Sequence, residues 1–404
     1  MSHLSASIHG HPPTVVPRRE GGLRFNLQEL SGSLGDLGTF LPLTVALTLS
    51  CGMDLGLIFI FAGLMNVLTG LWFRQPIPVQ PMKAIAVLAI AGGLSAGEIA
   101  AAGMLTGLIV LALALAGGVN WITRAIPKPV VRGIQVGVGL KLAWEGVAWL
   151  GTLPAIGWDS WFSALMIGVI VALSFRYRQP VLLYLFVMGF GLLWLARPDA
   201  YHGLALKLPA FYLIQPGAAE WWGGLTRGAV PQLPLTLLNS VVAVCALSAD
   251  CFPGNGIAPR RMAASVGLMN LLCAPLGGMP MCHGAGGLAA QYRFGARTGG
   301  SVIMLGAIKI LVGLLMGASL GSLLVVYPRS ILAIMVLFAG VSLAAPARDC
   351  MRGTSVLVLL ATTLAFVLAS PMLGVGAGLL VAGVCHAVVA YRGAAVSRAH
   401  VPTA

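Results

Sequence analysis

Acidic side chains are scarce in this chain: 11 Asp and Glu among 404 residues, with all charged residues together making up 9%. A soluble domain carries roughly 25% charged residues, so water cannot be the solvent around most of this polypeptide. The seven cysteines show no C-x-x-C spacing, so neither a disulfide framework nor a metal site is expected, and no cofactor is implied. There is no H-E-x-x-H or comparable cluster, which ranks a membrane enzyme last among the functions to consider. The net charge of +13 comes from basic residues standing in ones and twos between apolar runs. Without a continuous basic patch, nucleic acid is not a partner. Residues 1–24 are polar and lack the apolar core of a signal peptide; they are expected to form a flexible cytoplasmic tail.

What the chain has in abundance is apolar length. Hydrophobic residues make up 58%, the mean hydropathy is +0.93, and there are 53 Gly and 24 Pro. Gly lets membrane helices approach closely, and Pro marks breaks that neighbouring groups can satisfy. A spanning helix needs about 20 apolar residues. On that measure the chain divides into fourteen windows: 28–50, 54–73, 79–93, 97–117, 129–150, 160–175, 179–196, 232–250, 259–277, 281–292, 299–320, 328–346, 351–369 and 371–391. The third and tenth are short. With the N-terminus placed inside, 17 of the 24 Lys and Arg fall on the inner side, four outside, and three (Lys83, Lys141, Lys309) within spans. One miscounted span would invert every later loop, so this bias predicts both termini cytoplasmic.

The sequence also repeats itself. Gly63-Leu64-Met65-Asn66 recurs as Gly267-Leu268-Met269-Asn270, and each copy precedes a Pro-broken stretch, Gln75–Met82 and Gly278–Gly284. Ile126-Pro127 opens a helix ending Gly139…Leu142-Ala143, as Tyr327-Pro328 opens one ending Gly340…Leu343-Ala344. Seven spans in each half means that the second half inserts upside down, an inverted repeat of the kind built into alternating-access transporters. The expected fold is thus an all-α membrane protein of 7+7 spans. Residues 25–197 form the first repeat, 198–231 an external linker carrying Trp221-Trp222, 232–391 the second repeat, and 392–404 a cytoplasmic tail.

The short third and tenth spans follow extended stretches, so each presents a helix N-terminus at mid-membrane. Free N–H groups and the positive dipole end favour an anion there. Gln80, Pro81, Met82 and Lys83 line this point in the first half, and His283, Gly284 and Ala285 in the second. Lys83 either adds a full charge to the site or pairs with Asp36, and both hold if the pair lines the cavity; an ionisable residue in a membrane span is a functional candidate by default. Asp36 and Thr39 belong to a small-residue stretch of the first span, where Asp36 serves proton coupling, ion pairing or helix packing. Asn239 and Ser240 in the eighth span either donate to substrate or bond across helices. Lys141 and Glu145, four apart on one helix, are expected to pair locally; Lys309 receives no role.

At these residues the sequence resembles the molybdate transporter family, a branch of the sulfate permease superfamily. The resemblance rests on ELSGSLGDLGT (29–39), PVQPMKAIA (78–86), VRGIQ (131–135), PQLPLTLLNS (231–240), MPMCHGAGGL (279–288) and QYRFGAR (291–297). It covers about residues 25–390 and implies the fourteen-helix fold shared with uracil permeases, with a core of spans 1–4 and 8–11 and a gate of spans 5–7 and 12–14. It further implies high-affinity uptake of molybdate, with tungstate accepted beside it, and a homodimer. Sulfate permeases carry a C-terminal regulatory domain and lack the Gln-Pro-Met-Lys pattern, and about a dozen residues here follow the last span. Nucleobase carriers of the fold place acids in the eighth and tenth spans, where this chain has Asn239 and His283. Sulfate or another anion is the nearest alternative cargo. An anion channel would need a continuous polar stripe, and the polar residues here are isolated. The excess of Arg over Lys points to a bacterial inner membrane.

Overall fold

The computed structural model describes residues 22–119, 121, 126–174, 181–202 and 208–399. Most of the N-terminal tail, the residues after 399, and Arg124, Arg176, Arg178 and Lys207, on which part of the orientation rests, lie outside the described residues. Helix dominates, and a helix falls in each of the fourteen windows. The first seven windows hold α1 (Leu27–Ser33) with α2 (Leu37–Cys51), α3 (Leu55–Phe73), α4 (Lys83–Gly92), α5 (Ala96–Leu115), α6 (Lys128–Leu150), α7 (Trp161–Ser174) and α8 (Val181–Ala196). The second seven hold α9 (Ala218–Cys251), α10 (Pro259–Cys273), α11 (Ala285–Arg293), α12 (Gly300–Val325), α13 (Arg329–Ala344), α14 (Thr354–Leu368) and α15 (Pro371–Ala399). Among the described residues, five helices are long and apolar enough to cross a membrane, and the bent pair formed by α1 and α2 makes a sixth. Large apolar side chains stand open on the outside, Trp144 at 71% and Leu380 at 68% exposure among them. In water such a surface would drive aggregation; against lipid it is the expected exterior.

Local chemistry sets the element ends. Ser95 and Glu98 form a reciprocal capping box that starts α5, Glu98 N–H donating to Ser95 Oγ and Ser95 N–H to Glu98 Oε2. Gly93, at φ +60°, closes α4 in the left-handed conformation that favours glycine. The eighth helix differs from expectation: it begins at Ala218, so Trp221 and Trp222 are helical and the linker ends earlier than 231. Glu220 reaches back to the Gly217 N–H at 2.9 Å and starts the helix there. Pro231 and Pro234 do not end it, because the backbone passes into π-helical geometry at Gly224–Ala229 and Thr236–Ala243, which absorbs the lost hydrogen bonds. The last helix also runs past 391 to Ala399.

Glycine brings specific helices into backbone contact. On α3, Gly56, Gly63 and Gly70 face Gly313, Gly306 and Gly299 at α12; a Cβ at Gly63 would stand 2.6 Å from the Gly306 carbonyl oxygen. The residue numbers run in opposite directions, so the two helices pack antiparallel. Gly107 and Gly267 join α5 to α10 in the same way, and Gly139 and Gly340 join α6 to α13. Exchanging the halves converts the first contact (spans 2 and 11) into the second (spans 9 and 4) and the third into itself. A pair of aspartates obeys the same exchange. Asp159, just before α7, accepts from the N–H groups of Arg329 and Ser330 at the start of α13. Asp349, just before α14, holds Arg132 through both carboxylate oxygens (3.0 and 2.7 Å) and Lys128 at 2.8 Å, at the start of α6.

The two Pro-broken stretches meet. Gln80–Pro81 (β1) and Met281–Cys282 (β2) pair antiparallel, Gln80 opposite Cys282 and Pro81 opposite Met281. The Met82 N–H extends the pairing to the Pro280 carbonyl at 2.8 Å.

Candidate functional site

Each strand leads into a short helix, so the strand pair sets α4 and α11 with their N-terminal ends near one place. Met82 caps α4 in an extended conformation and Gly284 does the same for α11. Asn270 pins the second strand: its side-chain oxygen accepts from Met281 N–H (2.8 Å) and its amide donates to the Met281 carbonyl (2.6 Å). Its counterpart in the first repeat, Asn66, takes a different partner, accepting from Lys309 Nζ at 3.0 Å. The repeat is thus kept in backbone plan and broken in chemistry.

The N-termini differ as well. On α4, Gln232 from α9 places Oε1 2.9 Å from the Ala84 nitrogen and 3.4 Å from that of Ile85, while its amide donates to Thr236 Oγ1. Part of the N–H array on α4 is therefore already satisfied. On α11, the N–H groups of Ala285, Gly286 and Gly287 make no hydrogen bond to any described residue. The Cα of Gly286 faces open space, whereas a Cβ at Gly284 would meet Gln80 Oε1 at 1.9 Å. A Cβ at Gly287 would meet Asp36 Oδ1 at 2.7 Å. Glycine at 284 and 287 lets Gln80 and Asp36 lie directly against the first turn of α11.

Gln80 and Asp36 are both buried, the Gln80 amide donating to Asp36 Oδ1. Gln80 Oε1 and Asp36 Oδ2 are left without partners among the described residues. The ion pair of Asp36 with Lys83, one of the alternatives the sequence left open, is not formed: the Gln80 amide binds one carboxylate oxygen and the other has no partner among the described residues. Lys83 opens α4, half-buried, and its charge still acts on Asp36. Lys309 is fully buried on α12. Its ammonium stands 3.6 Å from the centre of the Phe40 ring and is held by Asn66, a desolvated cation–π contact. Lys309 and Gln232 are polar residues of this centre to which the sequence reading gave no role. The signal was available: Asn66 closes the repeated Gly-Leu-Met-Asn, and Gln232 lies inside the Pro231–Ser240 motif.

Pro81 and Met82 lie in and beside the strand pair, with the Met82 side chain wholly buried. Ser240 is buried in a π-helical turn of α9, and Asn239 beside it is half-buried. The side chain of Thr39 lies outside the described residues. His283 is wholly buried with both ring nitrogens engaged, Nδ1 2.9 Å from the Pro78 carbonyl and Nε2 3.0 Å from Ser265 Oγ. A carbonyl can only accept, so Nδ1 carries the proton and the Ser265 hydroxyl donates to Nε2. His283 therefore ties β2 to β1 and α10, and offers the site no free donor. Lys141 and Glu145 form no ion pair; a half-exposed pair four apart gains only a few tenths of a kcal/mol, less than holding two long side chains costs.

The chain matches the sequence profile of a family described as "Molybdate transporter of MFS superfamily" over residues 28–142 and 224–343. It is 37% identical over 383 residues to "Molybdate transporter 1" of Arabidopsis thaliana, covering 84% of each chain. It is 32% identical over 494 residues to "Molybdate transporter 1" of Chlamydomonas reinhardtii, covering 94% of this chain and 95% of that one. Among solved structures it resembles the transmembrane domain of the cyanobacterial bicarbonate transporter BicA, with TM-score 0.64, 16% identity, and coverage of 86% of this chain and 96% of that one. It also resembles SLC26A9, with TM-score 0.68, 14% identity, and coverage of 89% and 64%. The fold is thus the one expected from the sulfate permease resemblance, although the family description uses another superfamily's name. The sequence relatives come from a plant and an alga, which removes support from the bacterial inner membrane expected from composition. Broken helices around a shared polar centre, this fold and these relatives converge: the chain belongs to the molybdate transporter family, an integral membrane transporter and not an enzyme.

Proposed function

We propose that this protein carries molybdate across a membrane by alternating access, with the oxyanion bound between the N-termini of α4 and α11 and tungstate accepted beside it. The observation that carries the reading is the first turn of α11, where three consecutive backbone N–H groups, of Ala285, Gly286 and Gly287, have no partner among the described residues. Such a turn favours an anion through both its hydrogen bonds and its dipole, and Lys83 across the strand pair adds a charge. Gln80 and Ser240 then contact the oxygens, while Pro81, Met82 and His283 fix the backbone around them. The reading includes fourteen spans in a 7+7 inverted arrangement, a core of spans 1–4 and 8–11 moving against a gate of the remainder, both termini cytoplasmic, and a homodimer.

The test is uptake of labelled molybdate into proteoliposomes containing the purified protein. Uptake should saturate, tungstate should compete at similar concentration, and sulfate only in large excess. Equal competition by sulfate would reject molybdate as the cargo, and unsaturable flux would reject a carrier in favour of a channel.

A further inference from the structure

The carboxylate of Asp36 sits where a carrier of anions would least be expected to keep a negative charge. It lies against Gly287, in the same first turn of α11 whose N–H groups are free. The charged or titratable groups around it are Lys83 on α4, Lys309 on α12 and the Cys282 thiol on β2. The strand β1 contributes the neutral Gln80, α3 the neutral Asn66 bound to Lys309, and α11 the uncharged Gly287 and Gln291. Two lysines in the electrostatic surroundings of one carboxylate leave one net positive charge. A doubly charged oxyanion turns that into one net negative charge, and a single proton restores neutrality. In a membrane interior, neutrality decides which state is populated. Asp36 Oδ2 is fully buried and without a partner, so it can accept that proton without breaking an existing bond.

A polar seam leads away from it. Glu29, Ser33 and Asp36 lie at helical spacings of four and three on one face of the first helix, and all three are buried. The facing α11 carries Gly287 and, one turn on, Gln291, whose side-chain oxygen and nitrogen are both buried and unpartnered. Gly32 and Gly35 make the approach possible; a Cβ at Gly35 would meet the Phe294 ring at 2.5 Å. The seam ends at Glu29, which accepts from the Arg297 and Thr298 N–H groups. Packing alone does not require a glutamine with both ends unsatisfied between two closely packed helices.

We infer that Asp36 is the proton site of this transporter, taking up one proton with each oxyanion along the Glu29–Ser33–Gln291 seam. The proton comes from water at one face, forms an O–H bond at Asp36 Oδ2 while the anion is bound, and returns to water when the anion leaves. The inference rests on the oxyanion site proposed above.

Calorimetric titration of the full-length protein with sodium molybdate, in two buffers of different ionisation enthalpy, counts the protons taken up per ion bound. The expected count is about one at neutral pH. Binding with no proton uptake overturns this inference and leaves the oxyanion site standing; no binding at all overturns both. Asp36→Asn should make the heat of binding independent of buffer, and buffer dependence equal to wild type would sink the assignment. Because that variant perturbs a buried site, Gln291→Leu provides a second arm. It should slow both uptake driven by a pH gradient and molybdate–molybdate exchange about tenfold, because each turnover loads and releases the proton, while the count of protons taken up on binding stays near one. Transport at the wild-type rate, or loss of the proton count, argues against the seam.

Discussion

The side-chain oxygen of Gln232 lies 2.9 Å from the backbone nitrogen of Ala84, so a residue of the second repeat caps the half-helix of the first. An oxyanion arriving between the half-helices meets a donor set already partly engaged on one side and open on the other. Gln232→Ala leaves buried N–H groups unpaired and should lower stability by about 1–3 kcal/mol, read as a lower melting temperature in detergent. Gln232→Glu keeps the cap but adds a negative charge beside the site, and should weaken molybdate binding on the order of tenfold or more.

Gly284 and Gly286 make a matched pair for testing how closely Gln80 must approach α11. A methyl group at 284 collides with Gln80 Oε1, whereas one at 286 meets nothing within 4 Å. Gly284→Ala should therefore displace Gln80 and abolish measurable uptake. Gly286→Ala should melt at nearly the wild-type temperature. A reversed order of stability in thermal melts would contradict the geometry.

Lys83 and Lys309 should separate by assay. Lys83 is half-buried with no ion pair, so Lys83→Ala should weaken binding at least about tenfold and leave the melting temperature nearly unchanged. Unchanged affinity would show that this lysine is structural. Lys309 is enclosed with Asn66 and Phe40, and Lys309→Ala opens a cavity and frees Asn66. It should cost roughly 2–5 kcal/mol of stability as well as transport, measured by denaturation in mixed micelles.

The Arg132–Asp349 bridge is partly open to solvent, at 22% and 37% exposure. A double-mutant cycle with Arg132→Ala and Asp349→Ala should yield a coupling of about 1 kcal/mol or less that fades with added salt. Asp159, which caps α13 through backbone N–H groups, should lose about 1 kcal/mol on change to Ala with little dependence on salt. Similar salt sensitivity at the two positions would undo the distinction.

Much of the fold was legible because the signals were long or repeated. Each apolar window holds a helix, and Gly-Leu-Met-Asn with its Pro-broken sequel marked the two extended stretches that lead into α4 and α11. What escaped were contacts between residues about 150 to 270 apart in the sequence: Lys309 meets Asn66 and Phe40, and Gln232 meets Ala84, only after the halves have packed. The sequence begins the eighth span at 232, after a linker ending at 231, whereas the helix starts at Ala218 and π-helical geometry carries it past Pro231 and Pro234. The sequence leaves Asp36 as a coupling, pairing or packing residue with Lys83 one possible partner, and the folded chain gives it Gln80.

The pairing of Gln80 with Cys282 has a bearing on how the protein is made. While the ribosome is still working on the second repeat, the first already sits in the bilayer with an extended segment whose edge has nothing to bond. Unsatisfied amides in hydrocarbon are costly, so that segment must be sheltered, by water or by an insertion factor, until some two hundred further residues have entered. Assembly of the centre then waits for the second half, and a chain truncated after its first half should be recognised and degraded rather than stored.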